Sequence, residues 1–331
     1  MAIKIPIPRG VKLKNYYHAS FMKNGDVAVD RLDYKEYGSD LRILDVYSSN
    51  LIFSTALHNK LQPAQHILME NRIDYSKHIQ QYLPQLPQGH TFEHIPLSPF
   101  EWKSYLSITE PQSTILDPGF QSRDHIHSKL LLTGTVNSER LIMQWYACMG
   151  NQNWIQRFGN IRMLLWVPEA SAIKLLADPG MKTRGKCSIV REAFSDSTLL
   201  AVAESSRLNK FPARVLEADS PLLFKESDVS GPKHPLALLE INPKDHSLED
   251  ILSWDYVTKN LMILKKKTVG ESIKNLGPGS DQFFKQHIPE HLWNKTVSDL
   301  TATEFMEITR MFDLWPFKPD FLIDGMIDQI D

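Results

Sequence analysis

The chain has 331 residues, 42% hydrophobic, 10% aromatic and 23% charged, a balance that supports one large core or two modest ones and excludes a disordered protein. Its 37 lysines and arginines against 39 acidic residues leave a formal net charge of −2, which excludes a strong grip on duplex DNA unless a local basic face, a partner or stacking onto exposed bases supplies it. No apolar run approaches the roughly 20 residues of a membrane span, and two cysteines, Cys148 and Cys187, are too few for a disulfide framework and point to a reducing compartment.

From Met1 to Gly25 there is no acidic residue, while Lys4, Arg9, Lys12, Lys14 and Lys23 are basic. The pattern suits mitochondrial import and equally an ordinary basic arm, since Pro6 and Pro8 break any early amphipathic helix. Short apolar runs then alternate with helix-like stretches. Strands are expected at 42–46, 66–70, 91–95, 129–133, 161–167, 188–194 and 235–241. Strands separated by helical segments predict an α/β fold with a mostly parallel sheet, and the closer spacing of the later runs permits an antiparallel pair at one edge. From Ser247 the pattern turns helical: Ser247 with Asp250 and Thr301 with Glu304 read as capping boxes, and Phe305, Ile308, Phe312 and Trp315 follow helical spacing until Pro316. Two domains are expected, an α/β domain over 1–246 and a helical one over 247–331. The latter ends in a stretch, 320–331, with four aspartates that reads as a mobile tail.

Residues 167–190, VPEASAIKLLADPGMKTRGKCSIV, resemble the rRNA adenine dimethyltransferases, in which a helix of pattern AxRLxAxPG leads to a strand. Ala172, Leu175, Leu176, Ala177, Pro179 and Gly180 match the helix and its stop, and Ser188, Ile189 and Val190 match the strand. The stretches GPKHPLALLEINP (231–243) and LTATEFMEITRMF (300–312) resemble two further segments of that family in the same order. The segments LIMQWYACMGNQNWIQRFGNIRMLLWVP, CSIVREAF, WDYVTKNLMILK and WPFKPD are similar to one branch of it, the mitochondrial RNA polymerase specificity factors of yeasts. This resemblance covers nearly the whole chain. It implies a Rossmann-like, S-adenosylmethionine-dependent methyltransferase fold with a small all-helical C-terminal domain. It also implies a place in the mitochondrial matrix and two partners, the mitochondrial RNA polymerase and promoter DNA, including single-stranded bases of the open bubble. No membrane partner is expected.

The residues at the family's donor site depart from its pattern. After the first strand the family has an acidic residue and GxGxG, whereas this chain has Asp45-Val46-Tyr47-Ser48-Ser49-Asn50. Glycine alone tolerates close ligand approach and positive φ freely, so the departure counts against a bound cofactor. Glu70 stands where the family holds the ribose hydroxyls, and is read as a surface carboxylate kept by ancestry. Ser98 stands near the aspartate that contacts adenine, and HASFM (18–22) keeps Met22 of the first motif. Met22, Asp45, Glu70 and Ser98 are thus vestigial positions. The N-[IL]-P-[YF] loop that stacks and methylates a base is replaced by Leu132-Thr133-Gly134-Thr135-Val136. These departures imply no methyl transfer, no catalytic residue and no cofactor.

Nucleic-acid contacts are sought elsewhere. Phe100, Trp102 and Tyr105 follow the third strand and either stack on unpaired bases or pack the next helix. Arg157 with Arg162, and Lys182, Arg184, Lys186 and Arg191, are the basic clusters offered for phosphate contact, against the plainer role of a solvated face; Lys265–Lys267 form a third. His125 and His127 have no third ligand at fitting spacing, so no metal is expected. The rival expectations are an active rRNA adenine N6-dimethyltransferase and an RNA-binding assembly factor that works without a polymerase.

Overall fold

The computed structural model describes residues 4–8, 28–113, 115–205, 207–225 and 235–319, with the backbone of 21–22 and 229–230. The side chain of Met22, the basic residues Arg9 to Lys23 and the acidic stretch 320–331 lie outside the described residues. The chain divides into two compact units, Met1–Ile173 with Ser195–Asp245, and Lys174–Phe194 with His246–Asp331.

The first unit is built on eight strands: β1 (Arg42–Val46), β2 (Gln65–Met69), β3 (Phe92–Ile95), β4 (Ile126–Thr135), β5 (Asn160–Pro168), β6 (Ser195–Ala203), β7 (Leu222–Phe224) and β8 (Leu236–Pro243). Their order in the sheet is β3-β2-β1-β4-β5-β8-β6-β7. β1 runs parallel to β2 and β4, pairing Val46 with Met69 and with Gly134. β8 is antiparallel to both β5 and β6. β8 thus makes its antiparallel pairings inside the sheet, whereas the closer spacing of the later runs permitted such a pair at one edge. A separate two-strand ladder joins Phe21–Met22 to Val229–Ser230.

Consecutive residues of β1 and all of β5 from Asn160 to Val167 are buried, as expected of strands covered on both faces. Helices α1 (Ile52–Leu61), α2 (Ile73–Tyr82), α3 (Trp102–Thr109) and α4 (Glu139–Asn151) follow β1, β2, β3 and β4 in turn. The right-handed preference of such crossovers explains why a chain of alternating strand and helix closes this way. Trp166 of β5 anchors one core, edge-on to Phe53 and Phe224 at 5.5 and 5.9 Å. Gly134 requires glycine: a Cβ there would sit 1.9 Å from the carbonyl oxygen of Val46. The strand order reverses between β1 and β4, so the carboxyl ends of these two strands flank the crevice in which such sheets hold ligands.

In the second unit the strand expected at 188–194 is a helix, α6 (Lys186–Phe194). Ile189, Val190, Ala193 and Phe194 are buried, a 3.6-residue repeat that a β-branched pair disguised in the sequence. The segment 174–194, expected within the α/β domain, groups with 246–331 instead. Its anchor is Arg184, fully buried, donating to the carbonyls of Ala177 and Leu300 at 3.0 and 2.6 Å and to Glu192 at 2.7 Å. The principal C-terminal helices are α8 (Ile251–Ile263), α9 (Ser280–His287) and α10 (Ala302–Asp313), while α5 (Glu169–Leu175) and α7 (Ala213–Asp219) precede them in the chain. Asp250 caps α8, accepting from the backbone of Leu252 and Ser253. Ser247, expected in that role, instead accepts from Arg310 at 2.6 Å. The Thr301–Glu304 capping box of α10 is present. No helix among the described residues is long and apolar enough to cross a membrane.

Candidate functional site

The crevice at the carboxyl ends of β1 and β4 holds a cavity of about 350 Å³, lined by Tyr47, Asn71, Arg72, Thr135, Asn137 and Ser138. That volume is at the low end of ligand pockets. The turn after β1 has no glycine, yet Tyr47, Ser49 and Leu51 adopt left-handed φ values of 54°, 57° and 65°. Alternate residues of the turn thus keep a conformation suited to G-x-G-x-G, at roughly 1–2 kcal/mol for each L-residue so held. Local bonds hold it: Tyr47 N donates to the carbonyl of Met69 at 3.1 Å, Leu51 N to Ser48 at 3.1 Å, and Ile52 N to Asn50 Oδ1 at 3.3 Å.

Glu70 is fully buried, not the surface carboxylate expected of it. Arg72 occupies both its oxygens. The Arg72 backbone N–H and Nε donate to Oε1 at 3.0 and 2.8 Å, and Nη2 donates to Oε2. The guanidinium lies against two rings, 5.0 Å from the centroid of Tyr47 and 4.1 Å from that of Tyr75. Its Nη2 also reaches Ser49 Oγ at 3.4 Å. Asp45 is buried, its Oδ2 lying 3.3 Å from His66 Nε2. His66 Nδ1 in turn lies 3.3 Å from His58 Nδ1. Burial, with the charges of His66 and His90 adding to it, pushes His58 down to about 3. Ser98 is half-buried and opens the turn into α3, its carbonyl accepting from Glu101 N at 3.2 Å. The methyl donor implied by the resemblance needs a free carboxylate and an open turn; with Arg72 on Glu70 and Tyr47 at the turn, the residues present do not fit it.

The segment 132–136 expected to replace the catalytic loop is largely strand β4, which continues to Thr135. The side chains at the cavity rim come from Thr135, Asn137 and Ser138, so an asparagine does stand there, two residues beyond the strand. Ser138 also caps α4, accepting from Leu141 N. Sequence reading missed Arg72, Asn71 and Asn137. The signal available for Arg72 was its position two residues after Glu70.

Burial sorts the proposed nucleic-acid contacts. Phe100 and Trp102 are 52% and 38% exposed. Tyr105 is not available for stacking: it is buried, donates to the carbonyl of Pro99 at 2.7 Å and packs edge-on to Trp154 at 4.9 Å. Trp154 in turn stacks on Trp145 at 5.1 Å. Burial, then neighbouring Tyr47, raises the Tyr105 hydroxyl well above its ordinary value. Arg162 is likewise withdrawn, paired with Glu36, bonded to Asn242 Oδ1 at 2.7 Å and lying over Tyr34 at 4.3 Å. Arg157 is half-buried, donating to Thr109 Oγ1 at 2.8 Å.

In the second unit, Arg184 is the buried anchor described above, which removes it from any surface. Lys186 pairs with Asp255 at 2.5 Å, and half-buried Arg191 donates to the carbonyl of Leu175 at 3.0 Å. Lys182 is exposed. Lys265 is tied to the carbonyls of Lys182 and Arg184 at 3.1 and 2.8 Å. His125 pairs with Asp124 at 2.5 Å, and buried His127 lies 3.0 Å from the carbonyl of Gly119. Among the described residues no three His, Cys, Asp or Glu side chains are placed to hold a metal ion.

The model of one protein family, ribosomal RNA adenine dimethylase, matches residues 10–313. The chain belongs to the ribosomal RNA adenine dimethylase family. Relatives of this chain include proteins called mitochondrial transcription factor 1. The protein of Lachancea kluyveri is 40% identical over 98% of this chain and 97% of its own length. That of Saccharomyces cerevisiae is 39% identical over 97% of each. Among solved structures, a dimethyladenosine transferase from Plasmodium falciparum superposes with a TM-score of 0.57 at 13% identity, covering 88% of this chain and 95% of that one. At that identity the likeness speaks to the fold alone.

Proposed function

We propose that this dimethylase-family chain is a mitochondrial transcription initiation factor. It binds the mitochondrial RNA polymerase in the matrix and helps it to recognise and melt promoters, without transferring methyl groups and without a cofactor. The observation that carries the reading is the 40% identity, over 98% of the chain, to a protein named for mitochondrial transcription. The engagement of Glu70 by Arg72 supports its non-enzymatic half.

The surface chemistry is in keeping with that role. Phe100 and Trp102 present two accessible rings after β3. Stacking returns roughly 1–3 kcal/mol per base, so two rings offset a few base-pair steps at about 1.4 kcal/mol each. The cations Arg162 and Arg184 are consumed internally, and the net charge is −2. The protein therefore relies on the polymerase for most of the phosphate grip, with Lys182 and half-buried Arg157 as the remaining candidates.

The test is run-off transcription from a linear mitochondrial promoter, on duplex and on a pre-melted template, with polymerase alone and with this chain added. Dependence on the chain for duplex but not for the pre-melted template is expected. Equal transcription without it on both templates rejects the reading; methylation of small-subunit rRNA by the purified chain would restore the enzymatic one.

A further inference from the structure

We propose that Arg72 is a built-in stand-in for the ribose diol of a nucleoside, so that the donor cleft is latched shut by the chain itself and can be reopened. The inference rests on the non-enzymatic half of the reading above and names the device behind it.

A carboxylate at the end of the second strand of a Rossmann-type sheet accepts from ribose hydroxyls. A vicinal diol offers two parallel O–H donors to its two oxygens. Here Nε–H and Nη2–H of Arg72 offer the same pair of donors to Oε1 and Oε2 of Glu70, in the bidentate geometry that suits a guanidinium. The latch is only two residues from the carboxylate, and the Arg72 backbone N–H adds a third donor at 3.0 Å. Tyr75 and Tyr47 hold the guanidinium plane, while Ser49 Oγ lies within reach of its other edge. A fully buried carboxylate without such partners is costly. A cofactor-free chain must supply them from itself, and Arg72 does.

The rest of the cleft has kept its form. The turn still runs through left-handed φ at Tyr47, Ser49 and Leu51, so glycine at position 47 fits the existing backbone and removes the ring that walls the cavity. The cavity of about 350 Å³ remains beside it, with the polar side chains of Asn71, Asn137 and Ser138 on its walls.

The experiment is thermal unfolding of the full chain and of Tyr47→Gly/Arg72→Ala, each with adenosine and with 2′,3′-dideoxyadenosine at millimolar concentration. The double variant is expected to gain an upward Tm shift of about 3 °C or more with adenosine, none with the dideoxy analogue, and the wild type none with either. A variant that folds only when adenosine is present is the same positive result. Tyr47→Gly/Arg72→Lys, which keeps a cation at Glu70 without the fork, guards against collapse of the first variant. If neither variant responds to adenosine, folded or not, or if the dideoxy analogue acts equally, the latch is overturned. An adenosine-dependent shift in the wild type would instead overturn the closed site in the functional reading, which separates the two failures.

Discussion

Single side chains in this protein are sorted by burial more than by charge. Of the cations proposed for phosphate contact, Arg162 and Arg184 lie inside ion pairs and hydrogen-bond sets, and Tyr105 lies on the buried face of α3 while Trp102, three residues earlier, is exposed. Residue type alone carries no such distinction, because a run of Lys and Arg reads the same whether it faces water or a carbonyl. The carboxylate Glu70 was legible as a position but not as a partner, since pairing with Arg72 depends on the conformation of the intervening residue. The buried histidines make a sharper expectation. His58, stacked on Phe92 at 4.3 Å, is held down to about 3 by burial, with His66 and His90 adding to the effect, whereas in the unfolded chain it titrates near about 6.5. Between those values the unfolded state binds the extra proton, so stability falls as pH falls, with a slope of up to about 1.4 kcal/mol per pH unit. Urea unfolding at successive pH values from neutral down to about 5 should show a steeper loss in wild type than in His58→Phe; parallel curves would remove His58 from the account.

At the scale of elements, periodicity and caps were legible where local chemistry decides the structure. Thr301 accepts from Glu304 N, and the Glu304 carboxylate accepts in return from Thr301 N at 2.8 Å. Thr301→Ala is expected to lower stability by about 1 kcal/mol in urea unfolding, and a loss below a few tenths would mean that the packing of Phe305 and Phe312, not the cap, fixes α10. Ile189 and Val190 carry strand propensity, but the segment from Lys186 is helical because Ile189, Val190, Ala193 and Phe194 are buried together on one helical face. Strand β6 was overlooked because its residues 195–198 are polar, although Ser195 is buried. Tertiary burial overrode local preference at 188–194, and these two errors fall at the division between the two compact units; the three-residue β7 is too short to announce itself as a strand.

For the whole molecule, a methyltransferase fold carries a crevice whose buried carboxylate, Glu70, is engaged by Arg72. The crevice lies between β1 and β4 of the eight-stranded sheet, beside a left-handed turn. Under the proposed role, promoter opening depends on what the exposed surface offers to unpaired bases, and the exposed rings after β3 are Trp102 and Phe100. The most direct measurement is the fluorescence of 2-aminopurine placed in the promoter start region, with polymerase alone, with this chain added, and with Trp102→Ala in its place. The account predicts a rise that requires both proteins and falls several-fold with Trp102→Ala at unchanged polymerase binding. An equal signal from polymerase alone would contradict it.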